Sequence, residues 1–301
     1  MTNAIEKSML SLALIQSKKL SIGGLRELLT NFPNASPDEL LDQCEISRAS
    51  INASLSSALA SIESGLAVNV FPLLISDADY PATLRKIADA PPILFFRGTL
   101  KALHLTPGVS VVGTRKATLH GITIAERIAT FIGSEGLPVI SGLALGIDAA
   151  AHEGALKSPT PTIAVLAHGL EKASPRANAH LADRILDHGG AWVSEHPFKT
   201  PARPEYFVQR NRIQVGLSCA SVIVEGEERS GSMTQAEFCI RNRRELFAVL
   251  PEPGGIVSTQ HQLPKMLVAH RGAIPIRSKS DYPALLSAAR KRRDELLTSS
   301  S

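Results

Sequence analysis

The sequence predicts an α/β fold in which a doubly wound, mostly parallel sheet follows a small all-helical domain. Three observations carry this. Short apolar runs alternate with helical stretches from Val109 onward, the pattern of parallel strands joined by crossover helices. Two of those runs break at small-residue loops, Gly113-Thr114-Arg115-Lys116 and Ser141-Gly142-Leu143-Ala144-Leu145-Gly146-Ile147-Asp148. In open sheets of this kind ligands bind beyond the carboxyl ends of the strands, where both loops fall. Residues 1–66, by contrast, show leucines at helical spacing.

Taken in order, Leu10, Leu12 and Leu14, then Leu25, Leu28 and Leu29, then Leu40 and Leu41 mark small helices, and Asn31-Phe32-Pro33-Asn34 separates two of them. Ser36 before Pro37, Asp38 and Glu39 reads as an N-cap, with proline at the first helical position and acids in the first turn. Ile93 to Phe96, bounded by Pro-Pro and Gly, is a buried strand that extends the sheet, with Tyr80 and Phe96 in the core. Further strands are expected at Val109–Val112, Pro138–Ile140, Thr162–Leu166, Ala191–Val193, Ala220–Val224 and Leu246–Leu250, with a helix over Ile122–Ile132. The resulting division is a helical, helix-hairpin or SAM-like domain over 1–66, an extended Rossmann-like domain over 67–280, and a basic helical or disordered tail over 281–301. That tail carries Arg290-Lys291-Arg292-Arg293 and a serine-rich end.

The bulk composition excludes several classes. With 44% hydrophobic and 20% charged residues, the chain has the make-up of an ordinary globular protein. No apolar run approaches the roughly 18 residues of a membrane span, and the N-terminus lacks a secretory pattern. Three scattered cysteines, Cys44, Cys219 and Cys239, argue against a disulfide framework and fit a reducing cytoplasm. A net charge of +4 permits an anionic partner without demanding one.

Four stretches carry chemistry. Gly113, Thr114, Arg115 and Lys116 follow a strand and precede a helix, so a sharp backbone turn, free amides and a cationic fork suit an anion. The G-x-G-x-x-G dinucleotide fingerprint is absent. In the second loop, with Ser141 and Gly142, Asp148 and His152 share a helical face; the spacing suits acid–base work, but a structural hydrogen bond or cap is the reading preferred. No third His or Cys stands at ligand spacing, so no metal is expected. Phe207 through Ile213 is the densest polar constellation: Arg210, Asn211 and Arg212 imply a wet, anionic-ligand face, and Phe207 offers a ring on which a base stacks. Lys199 and Arg203 lie just upstream. Ser230, Gly231 and Ser232 open a helix with glycine and hydroxyls, suiting a phosphate, although Ser232 as a plain N-cap looks the same.

These motifs in this order resemble the DprA/Smf family of DNA-processing proteins: Tyr80-Pro81, Pro91 to Phe95, Val112 to Arg115, Ser141 to His152, Phe207 to Ser218 and Ser230 to Ser232. The resemblance covers about residues 70–276. It implies a Rossmann-like protein that binds single-stranded DNA, protects incoming strands in natural transformation (competence) and helps load a RecA-type recombinase. It also implies a homodimer. The chain departs from the family pattern at Ser174-Pro175 (usually Tyr-Pro), at Leu250-Pro251 (usually Pro-Gly) and around His261-Gln262, where a Gly-Thr-Asn loop is replaced. It also ends without the winged-helix-like C-terminal domain of many members.

The leading expectation is therefore a single-stranded DNA mediator with no catalytic residues and no cofactor. Its phosphates would lie along helix N-termini, held by Arg115, Arg210 and Arg212 and by amides near Gly113, Gly142 and Gly231. A rival is a nucleoside-monophosphate phosphoribohydrolase, suggested by Thr234-Gln235-Ala236-Glu237 but lacking the Pro-Gly-Gly before it. A nicotinamide-dependent oxidoreductase ranks last, because the fingerprint fails.

Overall fold

The computed structural model describes residues 3–251 and 259–298. Among them, β1 Val70–Leu74, β2 Ile93–Gly98, β3 Gly108–Val112, β4 Val139–Ser141, β5 Ile163–Val165, β6 Ala191–Ser194, β7 Ser218–Ile223, β8 Glu245–Val249 and β9 Ile274–Ile276 form one sheet. The spatial order is β1-β2-β6-β5-β4-β3-β7-β8-β9. Pairs from β6 to β9 are parallel, and β1–β2 and β2–β6 are antiparallel. From β3 the chain steps outward through β4, β5 and β6, then returns to the far flank of β3 as β7. That reversal opens a crevice between the ends of β3 and β7, the switch point at which such sheets bind ligands.

Strands β3 to β7 are buried along their whole length, which is why they read as continuous apolar runs rather than alternating ones. Their few serines pair internally: the Ser110 and Ser221 hydroxyls lie 2.7 Å apart, and Ser141 Oγ donates to the Val111 carbonyl at 2.7 Å. The sequence reading assigns no strand to β1 or β9. Each carries a proline, Pro72 or Pro275, and each is an edge strand. Proline demotes a run in any sequence-based reading, yet an edge is where it is tolerated and where it blocks further pairing.

The N-terminal helices are Asn3–Gln16, Ile22–Asn31, Pro37–Gln43 and Asn52–Leu66. The expected cap at Ser36 is present as a reciprocal pair: Ser36 N–H donates to Glu39 Oε2 at 2.7 Å, and Glu39 N–H donates to Ser36 Oγ at 3.3 Å. Leu10, Leu14, Leu25 and Leu29 are fully buried, in one contiguous cluster with Leu94, Phe96 and Trp192 of the sheet. Tyr80 is in the same core, its hydroxyl donating to the Pro91 carbonyl at 2.7 Å. On the β3–β7–β8 side, the helices Leu119–Ser134, Ile147–Ala155 and Tyr282–Thr298 share a second cluster with Val109, Val111 and Val222. The segment expected as a basic tail is thus a docked helix as far as Thr298, burying Tyr282, Leu285, Ala289 and Leu296; Ser299–Ser301 lie outside the described residues. Among the described residues no helix is long and apolar enough to cross a membrane.

A core continuous between helices and sheet has a thermodynamic consequence. Leu14→Ala should lower stability by about 2–5 kcal/mol. Urea unfolding followed by circular dichroism and by Trp192 fluorescence should shift together; an N-terminal transition separate from the Trp192 transition would contradict this.

Candidate functional site

A cleft of about 360 Å³ opens at the switch point. Gly113, Thr114, Arg115, Lys116, Phe207, Arg210, Asn211, Ser230, Gly231 and Ser232 line it, whereas Ser141, Gly142, Arg203 and Arg212 do not. Three helices start around it, and their N-termini differ.

The helix Leu119–Ser134 does not present free amides to the cleft, contrary to the expectation for the Gly113 turn. Its N-cap Thr118 accepts from Gly121 N–H at 2.9 Å. Thr118 also donates its N–H and hydroxyl to the Glu225 carboxylate, at 2.9 and 2.6 Å. Glu225 is 1% exposed, so the positive end of this helix already holds the protein's own anion. The helix Ile147–Ala155 is similar. Its first-turn Asp148 accepts from Gly142 N–H at 3.1 Å, and Ile147 N–H donates to the Thr114 carbonyl at 3.2 Å. The third helix, Gly231–Arg241, is open. Its N-cap Ser230 makes no capping bond, because the hydroxyl donates to the Glu227 carbonyl at 2.6 Å. Ser232 lies inside the helix and is buried, so it is not the cap that its sequence position suggested.

Arg210 is the second correction. It is buried at 6% exposure, not displayed on a wet face. Nη1 donates to the Val165 carbonyl at 2.6 Å, Nε donates to Asn211 Oδ1 at 3.1 Å, and Nη2 lies 3.7 Å from Asp148 Oδ2. Asn211 in turn donates to the Gly231 carbonyl at 3.0 Å. Gly142 packs so closely on this guanidinium that a Cβ there would overlap it, which explains glycine at that position. Burial pushes the Asp148 carboxyl up and the Arg210 guanidinium down from their ordinary pKa values, and each opposes the other's shift by favouring the charged form. Arg212 points elsewhere: its guanidinium grips both Glu195 oxygens at 2.7 and 2.6 Å, and Nε donates to the Asp89 carbonyl at 2.9 Å. Every residue of the helix Asn211–Gly216 is buried, so charged side chains on it must be paired internally.

Of the cations singled out in the sequence, Arg115, Lys116, Lys199 and Arg203 are exposed. The Arg115 guanidinium lies over the Phe207 ring at 5.0 Å and that of Arg203 over Tyr206 at 5.7 Å. Asp148 and His152 are not joined as a pair: His152 Nδ1 donates to Thr162 Oγ1 at 2.9 Å, the donor being assigned because Thr162 itself donates to the Val139 carbonyl. Two contributors escaped the sequence reading. Glu225 was signalled only by an acid closing an apolar run, and Gln235 lines the cleft one turn beyond Gly231. Gln235 Nε2 donates to Ser110 Oγ at 3.1 Å. Where the chain departs from the DprA/Smf pattern, Leu250, Pro251 and His261 border a separate hollow of about 590 Å³, and Gln262 begins the helix Gln262–His270. Near Ser174-Pro175, Asn178 Nδ2 donates to the Leu143 carbonyl at 2.8 Å.

Residues 72–287 match the family described as DNA recombination-mediator protein A. The chain belongs to that family. It is 36% identical to the DNA processing protein DprA of Bacillus subtilis over 214 residues, 71% of this chain and 70% of that protein. It is 38% identical to the protein Smf of Escherichia coli over 203 residues, 67% of this chain but only 53% of that protein. Among solved structures, DprA of Streptococcus pneumoniae superposes with a TM-score of 0.67 at 29% identity, covering 92% of each chain. A Helicobacter pylori DprA structure, described by its single-stranded DNA binding mode, superposes at 0.63 with 25% identity, covering 73% of this chain and 97% of that one. Family membership thus rests on the region that builds the sheet and the cleft.

Two outcomes follow from the buried charges. Arg212→Ala leaves Glu195 unpaired in the core and should reduce stability by about 3–5 kcal/mol in chemical denaturation; a loss under 1 kcal/mol would mean the pair is solvated. Burial depresses the His152 pKa from 6.5 to about 3, and desolvation also lowers His168 and His196. The unfolded chain therefore binds protons that the fold excludes. For His152, stability is full above about pH 6.5 and falls toward pH 3, by about 1.4 kcal/mol per pH unit; His168 and His196 act in the same direction. Replacing His152 with Asn should flatten that slope.

Proposed function

We propose that the cleft holds the backbone of single-stranded DNA and that the chain is a non-catalytic DNA-processing mediator. The observation that carries this is the uncapped N-terminus of Gly231–Arg241, in a cleft that also holds the exposed cations Arg115 and Lys116 and the Phe207 ring. Main-chain amides at a helix end suit one phosphate, a guanidinium suits the next, and a ring suits any base. The single-stranded DNA binding of the H. pylori relative agrees. Protection of incoming strands, loading of a RecA-type recombinase, a homodimer and a cytoplasmic setting complete the reading.

The hydrolase alternative needs its motif acid, Glu237, in the cleft, but Glu237 is exposed and absent from the lining, where Gln235 stands instead. The acids that do line the cleft are Asp148, which faces Arg210, and the exposed Glu227, and neither belongs to that motif. Release of free base from nucleoside monophosphates, abolished in Glu237→Gln, is the result that would reverse this preference.

Arg115→Ala should weaken binding to oligonucleotides of any sequence. It should also make log K fall less steeply with log salt, by about 0.7 for each phosphate that is no longer neutralised. Gel shifts over a salt series, with single-stranded and duplex probes, read both quantities. Unchanged affinity at moderate salt would place the site elsewhere.

A further inference from the structure

Beside the cleft, the short helix Pro204–Gln209 buries none of its residues. Only Tyr206 and Phe207 on it are half-buried. Each of these neighbouring rings carries an arginine, Arg203 over Tyr206 at 5.7 Å and Arg115 over Phe207 at 5.0 Å. Phe207 and Arg115 belong to the cleft, whereas Tyr206 and Arg203 lie outside its lining. Tyr206 also rests on the buried imidazole of His196, with ring centroids 4.1 Å apart and planes inclined by 31°. The main chain of His196 is tied to the end of β6, its backbone N–H donating to Ser194 Oγ at 3.0 Å.

We infer that Tyr206 and Arg203 form a second nucleotide subsite, one nucleotide away from the Phe207 position; this rests on the single-stranded DNA reading above. A nucleic-acid strand repeats one flat base and one phosphate per unit. Each Arg–aromatic pair offers the matching elements, a ring for the base and a guanidinium for the phosphate. Successive side chains leave a helix about 100° apart, so the two rings diverge and serve neighbouring bases rather than crowd one. Both arginines are exposed and free to move from ring to phosphate as a base arrives. The His196 backing keeps Tyr206 in place meanwhile, so the ring is ordered before binding.

The test is fluorescence anisotropy with a homothymidine strand of about 12 nucleotides and with an abasic strand of the same length. Tyr206→Leu keeps bulk against His196 but lacks the flat face. It should bind the thymidine strand at least about five-fold more weakly and the abasic strand unchanged. Tyr206→Phe should behave as wild type. Equal affinity of Tyr206→Leu and wild type for thymidine overturns the subsite, as does an equal loss on the abasic strand. If Tyr206→Leu does not fold, Arg203→Ala carries the test. It should weaken both strands and reduce the salt slope, and no change would overturn the subsite. Loss in Phe207→Leu with none in Tyr206→Leu removes only the second platform. Wild type that binds neither strand removes the parent reading instead.

Discussion

The buried guanidinium of Arg210 holds the floor of the cleft together. It reaches the end of β5 through the Val165 carbonyl, the loop after β4 through Asp148, and the helix after β7 through Asn211 and the Gly231 carbonyl. Three strand ends are thereby tied to one rigid, planar donor, and no lysine could replace that fork. The arrangement demands a glycine at 142, where any side chain would occupy the guanidinium's space. It also demands a carboxylate nearby, since an unpaired buried cation is among the most destabilising features a core can contain.

The same economy of charge governs the helix ends. A helix N-terminus attracts anions through its dipole and unpaired amides, so three helices opening on one crevice would make it broadly anion-seeking. Glu225 and Asp148 prevent this by filling two of the three from within. Each carboxylate also fixes a loop: Glu225 joins the end of β7 to the Thr118 cap, and its carbonyl accepts from Thr114 N–H at 2.8 Å. What remains open is the Gly231 end, which gives the cleft one backbone anchor in a defined place.

The sheet from β3 to β8 was legible because strands buried on both faces must be apolar throughout, and their crossovers need helices of ordinary length. The edge strands β1 and β9 were not, because Pro72 and Pro275 suit an edge but contradict a strand in any local reading. At the site, the sequence placed Gly113, Phe207 and Gly231 correctly along the cleft, but not the occupation of the helix end after Gly113 by Glu225. The direction of the arginines was not. Arg210 and Arg212 look like surface cations in a polar run, and only tertiary structure brings Asp148 and Glu195, far away in sequence, to meet them. The role of Glu225 was hidden for the same reason: its partner Thr118 lies 107 positions away.

The pairing also decides where attraction for an anion can originate. A floor in which Arg210 faces Asp148, and a wall in which Arg212 faces Glu195, contribute little net field, consistent with a chain whose total charge is only +4. Any long-range pull on an anion would then come from exposed cations such as Arg115, Lys116, Lys199 and Arg203, and the short-range fit from amides and rings held by the neutralised floor. Rim charges on long, solvated side chains are screened by salt, whereas the buried framework is not. Affinity and architecture therefore answer to different residues. A cation can be removed from the rim without disturbing the fold, and one removed from the floor takes the geometry of the cleft with it.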